Sequence, residues 1–119
     1  MTKLMIVSIA SDHAGFQLKE IIISHLKALK IEVIDNGPKN DESVDYPDYA
    51  KKVVDDLKGS YANKGILICG SGQGMAMSAN KHTGIRAALC HNLEITKLAR
   101  AHNDANILTL GARVLDQET

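Results

Sequence analysis

A cysteine followed directly by a glycine-rich turn is the segment of this sequence best suited to do chemistry. Cys69 precedes a Gly-Ser-Gly-Gln-Gly turn at residues 70–74, and good helix formers follow at 75–80. Backbone N–H groups at the start of a helix carry the positive end of the helix dipole, which suits a phosphate or a developing oxyanion. The same environment favours the thiolate form of a cysteine. The segment therefore predicts an anion site beside a reactive thiol.

Two alternatives compete with this interpretation. Free cysteines are among the most buried residue types, so Cys69 could simply be a small apolar residue that ends a strand. The glycine turn behind it favours the reactive interpretation. A nucleotide site fits less well, because the dinucleotide fingerprint Gly-x-Gly-x-x-Gly follows a first strand, whereas Gly-x-Gly-x-Gly here follows the third. Asp35 stands where a ribose-binding acid could, but such residues are usually turn residues.

Histidines provide further candidate groups, each with an ordinary structural alternative. His102 ends an amphipathic stretch, where a helix C-terminus favours a positively charged histidine without any catalytic role. His13, with its neighbour Asp12, follows the first strand, and its role could be limited to capping the next helix. The residues alone leave both alternatives open.

The elements that must position these groups alternate between strand and helix. Apolar runs predict five strands, at residues 4–10, 31–34, 65–69, 85–90 and 106–110. Apolar residues at helical spacing predict helices at 16–29, 47–57, 75–80 and from 95 to about 102. This alternation predicts an α/β fold in a single domain of residues 1–119, a Rossmann-like three-layer α/β/α sandwich with a five-stranded parallel sheet.

Polar residues follow several of the predicted strands, at the edge where ligands bind in such sheets. We expect five of these residues to lie close together at this edge: Asp12, His13, Cys69, Ser71 and Arg113. Elsewhere, Lys19 is expected on the polar face of the first helix, and Met75 and Met77 are expected to pack. Residues 39–43 are expected to form a surface loop.

Composition excludes several classes of protein. The 14 basic residues balance the 14 acidic residues, so neither nucleic acid nor a membrane surface is an expected partner. Aromatic residues make up only 3%, too few for a single-strand nucleic-acid binder. No apolar run reaches the roughly twenty residues of a membrane span. Cys69 and Cys90 match no disulfide or zinc pattern, so we expect reduced thiols in the cytoplasm and no metal.

Five segments in order resemble the ribose-5-phosphate isomerase B family, which also includes galactose-6-phosphate isomerase subunits. They are Ser-Asp-His-Ala-Gly at 11–15, Val-Asp-Tyr-Pro-Asp-Tyr-Ala at 44–50, Ile-Cys-Gly-Ser-Gly-Gln-Gly-Met at 68–75, Gly-Ile-Arg-Ala-Ala at 84–88 and Arg-Ala-His-Asn-Asp-Ala-Asn at 100–106. The resemblance runs from residue 4 to about residue 114. It implies interconversion of ribose 5-phosphate and ribulose 5-phosphate through a cis-enediolate, in the pentose phosphate pathway, without metal or cofactor.

The resemblance also implies a role for each matching residue. Cys69 matches the general base that moves a proton between C2 and C1, and Ser71 matches a position that orients it. His102 matches the residue that opens the furanose ring, helped by Asp12. The implied substrate-binding residues are Gly70, Gly72, Gln73 and Gly74 for the enediolate, Tyr46 and Asn103 for the sugar, and His13 and Arg113 for the phosphate.

The resemblance implies a homodimer or tetramer whose active site lies at the subunit interface, so that some of these groups come from the partner. Family members are usually longer, with a C-terminal helix that packs on the partner and supplies arginines to the phosphate. If Thr119 is the natural end, phosphate affinity and dimer stability are expected to be lower. Three alternatives stay open: isomerisation of galactose 6-phosphate or allose 6-phosphate, metabolite binding without chemistry, and a silent subunit of a mixed oligomer.

Overall fold

Five parallel strands form one sheet, and four helices connect them. The structure is a computed structural model and describes residues 5–40, 42 and 45–116. The strands are β1 (Ile6–Ser11), β2 (Glu32–Asp35), β3 (Lys64–Cys69), β4 (Ala87–Leu89) and β5 (Ile107–Gly111). The helices are α1 (Phe16–Ala28), α2 (Tyr46–Lys58), α3 (Gln73–Asn80) and α4 (Leu93–Asn103). The strand order is β2-β1-β3-β5-β4, so β1 and β3 are neighbours.

Helices cover both faces of the sheet because successive strand residues point to opposite faces. Ile68 of β3 packs with Ile9 of β1 and Ile23 of α1 on one face. On the other face, Leu67 packs with Val53 of α2 and with residues of α3. Helix α4 lies on the α1 face, where both helices line an apolar groove of about 450 Å³ over β3 and β5. The expected three-layer sandwich is therefore confirmed.

The observed elements agree with the predicted ones except near their ends. The fourth strand is Ala87–Leu89 rather than 85–90, and the edge strands β2 and β4 are only partly buried. Helix α3 starts at Gln73, inside the glycine turn, because Gly72 adopts a left-handed conformation with φ of 82° as its N-cap. Residues 4, 41 and 43 of the predicted first strand and surface loop lie outside the described part.

The prediction that Lys19 lies on an exposed face is wrong. Its side chain is fully buried, and its Nζ donates to Asp35 Oδ1 at 3.0 Å and to Glu20 Oε1 at 2.8 Å. The carboxylate that ends β2 lies against the first turns of α1, so the buried ammonium group meets a half-exposed carboxylate at the surface of the fold. Met75 packs as expected, but Met77 is 63% exposed, because the two residues lie on different sides of α3. No helix among the described residues could span a membrane.

Candidate active site

A crevice between β1 and β3 follows from the path of the chain. From β1 the chain passes to β2 on one side and then to β3 on the other side of β1. At such a reversal the connections leave in opposite directions, and ligands bind between the carboxyl ends of the two strands. Asp12 and Gly70 are the first residues beyond these strands, and the Asp12 N–H donates to Ile68 O at 3.0 Å. The segments after β1 and β3 are therefore held side by side.

The thiol of Cys69 lies at the start of the α3 turn. Cys69 is the last residue of β3, and its Sγ accepts the N–H of Gly72 at 3.1 Å. Its side chain is buried, with 6% of the residue exposed. The Ser71 hydroxyl accepts the N–H of Gln73 at 3.2 Å, so it holds the same turn. The predicted juxtaposition of a thiol and a helix N-terminus is present in the structure.

Two amides of this turn point to no acceptor. The first four N–H groups of a helix have no partner within the helix. Those of Gly72 and Gln73 are satisfied by Cys69 and Ser71, but those of Gly74 and Met75 have no hydrogen-bond acceptor among the residues described. Free amides at the positive end of a helix dipole favour an anionic ligand.

The walls of the crevice touch the turn at two of its glycines. A Cβ on Gly74 would lie 3.0 Å from the ring of Tyr46, which covers the start of α3. A Cβ on Gly70 would lie 3.4 Å from the side chain of Arg113, and the Arg113 N–H donates to Gly70 O at 2.9 Å. Tyr46 and Arg113 therefore reach the turn from α2 and from the segment after β5.

Asp12 and His13 lie on the β1 side of the crevice. The Asp12 carboxylate accepts the N–H of Gly15 at 3.0 Å, but Gly15 is itself the N-cap of α1 and no side chain among the described residues caps the helix, so the helix-capping alternative is wrong. His13 is half-buried, and within the described ranges its Nδ1 has no hydrogen-bond partner although it is shielded from solvent. A buried ring nitrogen without a partner is costly to leave unsatisfied. The His13 Nδ1 is therefore an unsatisfied polar atom on the β1 side of the crevice.

His102 and Asn103 do not join these residues within one chain. They are exposed at the C-terminal end of α4, which leads into the amino end of β5. Cys69 instead pairs with Gly111 at the carboxyl end of β5. Four residue steps along a strand span about 13 Å. His102 and Asn103 therefore lie at the edge of the sheet opposite Cys69. Asp12, which lies at the Cys69 edge, does not assist His102 of the same chain.

Sequence reasoning assigned no role to three other contacts near these residues. Arg86 Nε donates to Asn103 O at 2.6 Å and so holds the end of α4. Gly111 packs directly against the backbone of Ser71. Buried Lys19 and half-exposed Asp35 form the ion pair described above. Of these residues, only Arg86 could have been found from the sequence, because it belongs to the Gly-Ile-Arg-Ala-Ala segment at 84–88 that contributes to the family resemblance. The other contacts join residues far apart in sequence.

A metal site has no support among the residues that the structure places. Within residues 5–40, 42 and 45–116, no three His, Cys, Asp or Glu side chains are grouped as metal ligands. His91 and Cys90 are neighbours in sequence, but Cys90 is buried and His91 is exposed.

Fold and site together define a class of protein: a Rossmann-like α/β protein with a thiol beside a helix N-terminus at the point where the strand order reverses. Residues 7–119 match the model of the family described as Ribose/Galactose Isomerase, and the chain belongs to that family.

Relatives of known structure or curated description support this assignment. The chain is 44% identical over 112 residues to the ribose-5-phosphate isomerase B of Escherichia coli strain K12. The alignment covers 94% of this chain and 75% of the relative. It superposes on the ribose 5-phosphate isomerase of Thermotoga maritima with a TM-score of 0.94 and 52% identity, over 96% of this chain and 79% of the other. The enzyme of Mycoplasma genitalium, with bound ribulose-5-phosphate, superposes with a TM-score of 0.90 and 45% identity, over 96% and 76%.

Proposed function

We propose that this protein is an isomerase that interconverts ribose 5-phosphate and ribulose 5-phosphate. The observation that carries the proposal is the position of the Cys69 thiol, against the free amides of α3 and at the mouth of the crevice. The similar proteins of Escherichia coli and Thermotoga maritima are ribose-5-phosphate isomerases.

Cys69 is the base in this mechanism. Its thiolate removes the proton from C2 of the open-chain aldose; the C–H electrons form the C1–C2 double bond, and the carbonyl electrons move onto O1. The thiol then returns the proton to C1 while the C2 carbonyl forms and a proton passes from O2 to O1. Sugar carbon and oxygen atoms are conserved, and no external oxidant is needed.

The α3 amides stabilise the enediolate between these two steps. The N–H groups of Gly74 and Met75 point at the region where negative charge develops on the sugar oxygens. A well-placed donor of this kind contributes about 3 kcal/mol to transition-state stabilisation. Ser71 holds the turn through Gln73, so the amides are fixed before the substrate arrives.

The phosphate and the sugar occupy the two ends of the crevice. Arg113 and His13 bind the phosphate, because a guanidinium matches the geometry of phosphate oxygens and the His13 Nδ1 needs a partner. The amides of the α1 N-terminus lie on the same side. Tyr46 lies over Gly74 and forms the wall beside the sugar.

The site is completed by a second copy of the chain in a homodimer or tetramer. His102 and Asn103 are exposed at the edge of the sheet opposite Cys69, so they are free to enter the crevice of another subunit. There His102 opens the furanose ring with Asp12 of the first subunit, and Asn103 contacts the sugar hydroxyls. We also propose that residues 1–119 form a single isomerase domain that acts in the cytoplasm, in the pentose phosphate pathway, without a metal or cofactor.

The experiment that tests the reaction compares two cysteine variants. Both Cys69 and Cys90 are free and buried, but only Cys69 lies at the crevice. The purified protein should convert ribose 5-phosphate to ribulose 5-phosphate without added metal. Cys69→Ala should lose at least about 10²-fold in kcat, in the range typical of acid–base catalysis, while Cys90→Ala retains it. Folded wild-type protein without activity, or an active Cys69→Ala variant, would contradict the proposal.

A six-carbon sugar phosphate is the second candidate, because the family description covers ribose and galactose isomerases alike. The same assay with galactose 6-phosphate and allose 6-phosphate decides between them. A higher kcat/KM for either hexose phosphate would change the substrate but leave the role of Cys69 intact.

A further inference from the structure

The side chain of Arg86 links the end of α4 to the start of β4. Arg86 precedes β4, and its Nε donates to the carbonyl of Asn103 at 2.6 Å. Its backbone N–H donates to Asn106 Oδ1 at 2.9 Å, and its carbonyl accepts the Asn106 N–H at 3.0 Å. The residue therefore binds both the last residue of α4 and the loop that leads to β5.

The carbonyl that Arg86 holds belongs to the last turn of α4, which is also closed by the Ala105 N–H on Ala99 O at 3.0 Å and by the Arg100 guanidinium on Ala105 O. The last four carbonyls of a helix have no partner within it, and terminal turns open easily. Asp104 then ends the helix in a left-handed conformation, with φ of 49°. A guanidinium at this end also matches the negative pole of the helix dipole. Without Arg86, the terminal turn of α4 would lose a strong link to the sheet.

We propose that Arg86 is a positioning residue for the isomerase reaction. It fixes the end of α4 so that His102 and Asn103 enter the crevice of the neighbouring subunit in the correct orientation. The inference rests on the proposed function, and in particular on the shared site. Arg86 acts through the Asn103 backbone and touches neither the substrate nor the thiol of its own chain.

Removing this contact should affect catalysis more than stability. Arg86 is exposed, so water can replace the guanidinium at the Asn103 carbonyl. A displacement of about 1 Å at a catalytic group can cost about 10²-fold in rate. We expect Arg86→Gln to lower kcat by about 10-fold to 100-fold. KM should change much less, because the phosphate is bound by His13 and Arg113 at the other edge.

Two variants serve as controls for charge and geometry. Lys97→Gln removes a positive charge from an exposed position on the same helix and should leave kcat unchanged. Arg86→Lys keeps the charge but lacks the planar guanidinium that reaches the carbonyl, so it should restore only part of kcat. Thermal unfolding of each variant shows whether the chain is folded, and Arg86→Lys replaces Arg86→Gln in every assay if the glutamine variant does not fold.

Subunit complementation separates this role from a general structural one. Two differently tagged chains are co-expressed, and the mixed oligomer is purified through both tags. A mixed oligomer of a Cys69→Ala chain and a His102→Ala chain should recover activity. One site of each mixed pair then combines the native Cys69 of one chain with the native His102 of the other. Arg86→Gln with Cys69→Ala should recover activity in the same way. Arg86→Gln with His102→Ala should not, because both chains then carry a defective α4 end.

Each outcome decides a different statement. If Cys69→Ala and His102→Ala do not complement each other, the shared site is wrong and the Arg86 proposal fails with it. If they complement each other but Arg86→Gln also complements His102→Ala, the shared site stands and the role of Arg86 is overturned. Full kcat in Arg86→Gln alone also overturns it.

Discussion

Gly111 lies directly behind the glycine turn at residues 70–74. It ends β5 next to Cys69 in the sheet, and the backbone of Ser71 lies directly over its Cα. A Cβ at this position would be 2.5 Å from Ser71 O and 2.6 Å from its carbonyl carbon. Backbone atoms cannot move aside as a flexible side chain can. Glycine at 111 therefore lets the turn that carries the Gly74 amide lie close to the sheet.

We predict that Gly111→Ala displaces this turn and inactivates the enzyme. The methyl group must push Ser71 outward, so the thiol and the α3 amides lose their relative position, and kcat should fall by about 10²-fold. Overpacking of this kind also costs about 1–3 kcal/mol in the free energy of unfolding. The measurements are kcat and urea unfolding.

Gly84→Ala is the matched control for Gly111→Ala. Its Cβ would meet nothing within 4 Å, and its φ of 83° adds only backbone strain. That strain costs about 1–2 kcal/mol, so stability should fall while kcat stays near the wild-type value. A Gly111→Ala variant with wild-type kcat would show that the position of the turn is not critical.

At the scale of elements, the ion pair between buried Lys19 and half-exposed Asp35 joins α1 to the end of β2. A fully buried lysine is rare unless it is paired. The Asp35 carboxylate, 44% exposed, lies 3.0 Å from Nζ and also accepts the Gly37 N–H at 2.9 Å. The Gly37 carbonyl in turn accepts the N–H of Ser11 at 3.0 Å. The pair therefore orders the loop beside the residues that precede Asp12.

We predict that Asp35→Asn destabilises the fold by about 2 kcal/mol. The Lys19 ammonium would remain buried with only Glu20 as a charged partner, and an unpaired buried charge typically costs about 3–5 kcal/mol. Partial exposure of Asp35 and the remaining Glu20 contact reduce that figure. Adding Lys19→Met should recover most of the loss, because the buried charge is then gone. Urea unfolding of the single and double variants measures both effects.

An exposed ion pair of the same length provides the control for Asp35→Asn. Lys51 and Asp55 lie 3.0 Å apart on α2, with side chains 64% and 58% exposed. Exposed pairs contribute about 0–1 kcal/mol, so Asp55→Asn should change stability by less than about 1 kcal/mol. Equal losses in Asp35→Asn and Asp55→Asn would mean that burial of Lys19 does not strengthen its ion pair.

At the scale of the whole molecule, the proposed site requires two copies of the chain. A helix that follows one parallel strand returns to the start of the next, so the end of α4 lies at the amino edge of the sheet. The crevice lies at the carboxyl edge. No rearrangement of side chains moves His102 across the sheet to Cys69.

We predict that the active species is a dimer or a larger oligomer. Dilution through the dissociation range should lower the activity per chain, because a separated subunit lacks the His102 and Asn103 of its partner. Sedimentation at the same concentrations gives the oligomeric state. A monomer with undiminished kcat would contradict the shared site.

Local patterns in the sequence determined the elements and the candidate thiol. Alternating apolar runs and helical spacing depend on residues a few positions apart, so the strands and helices were predicted with errors only at their ends. The glycine turn after Cys69 is also local, and the structure has the predicted thiol against the start of α3. The resemblance to the family rested on segments of five to eight residues.

Only the tertiary structure decided which of these residues meet. Strand order made β1 and β3 neighbours and so placed the segment after Asp12 beside the glycine turn. It also placed His102 at the opposite edge of the sheet, although the resemblance assigns His102 and Asp12 to the same site. The burial of Lys19 and the contact of Gly111 with Ser71 join residues from separate elements. Such contacts depend on how the elements pack in space, which the spacing of residues along one element does not specify.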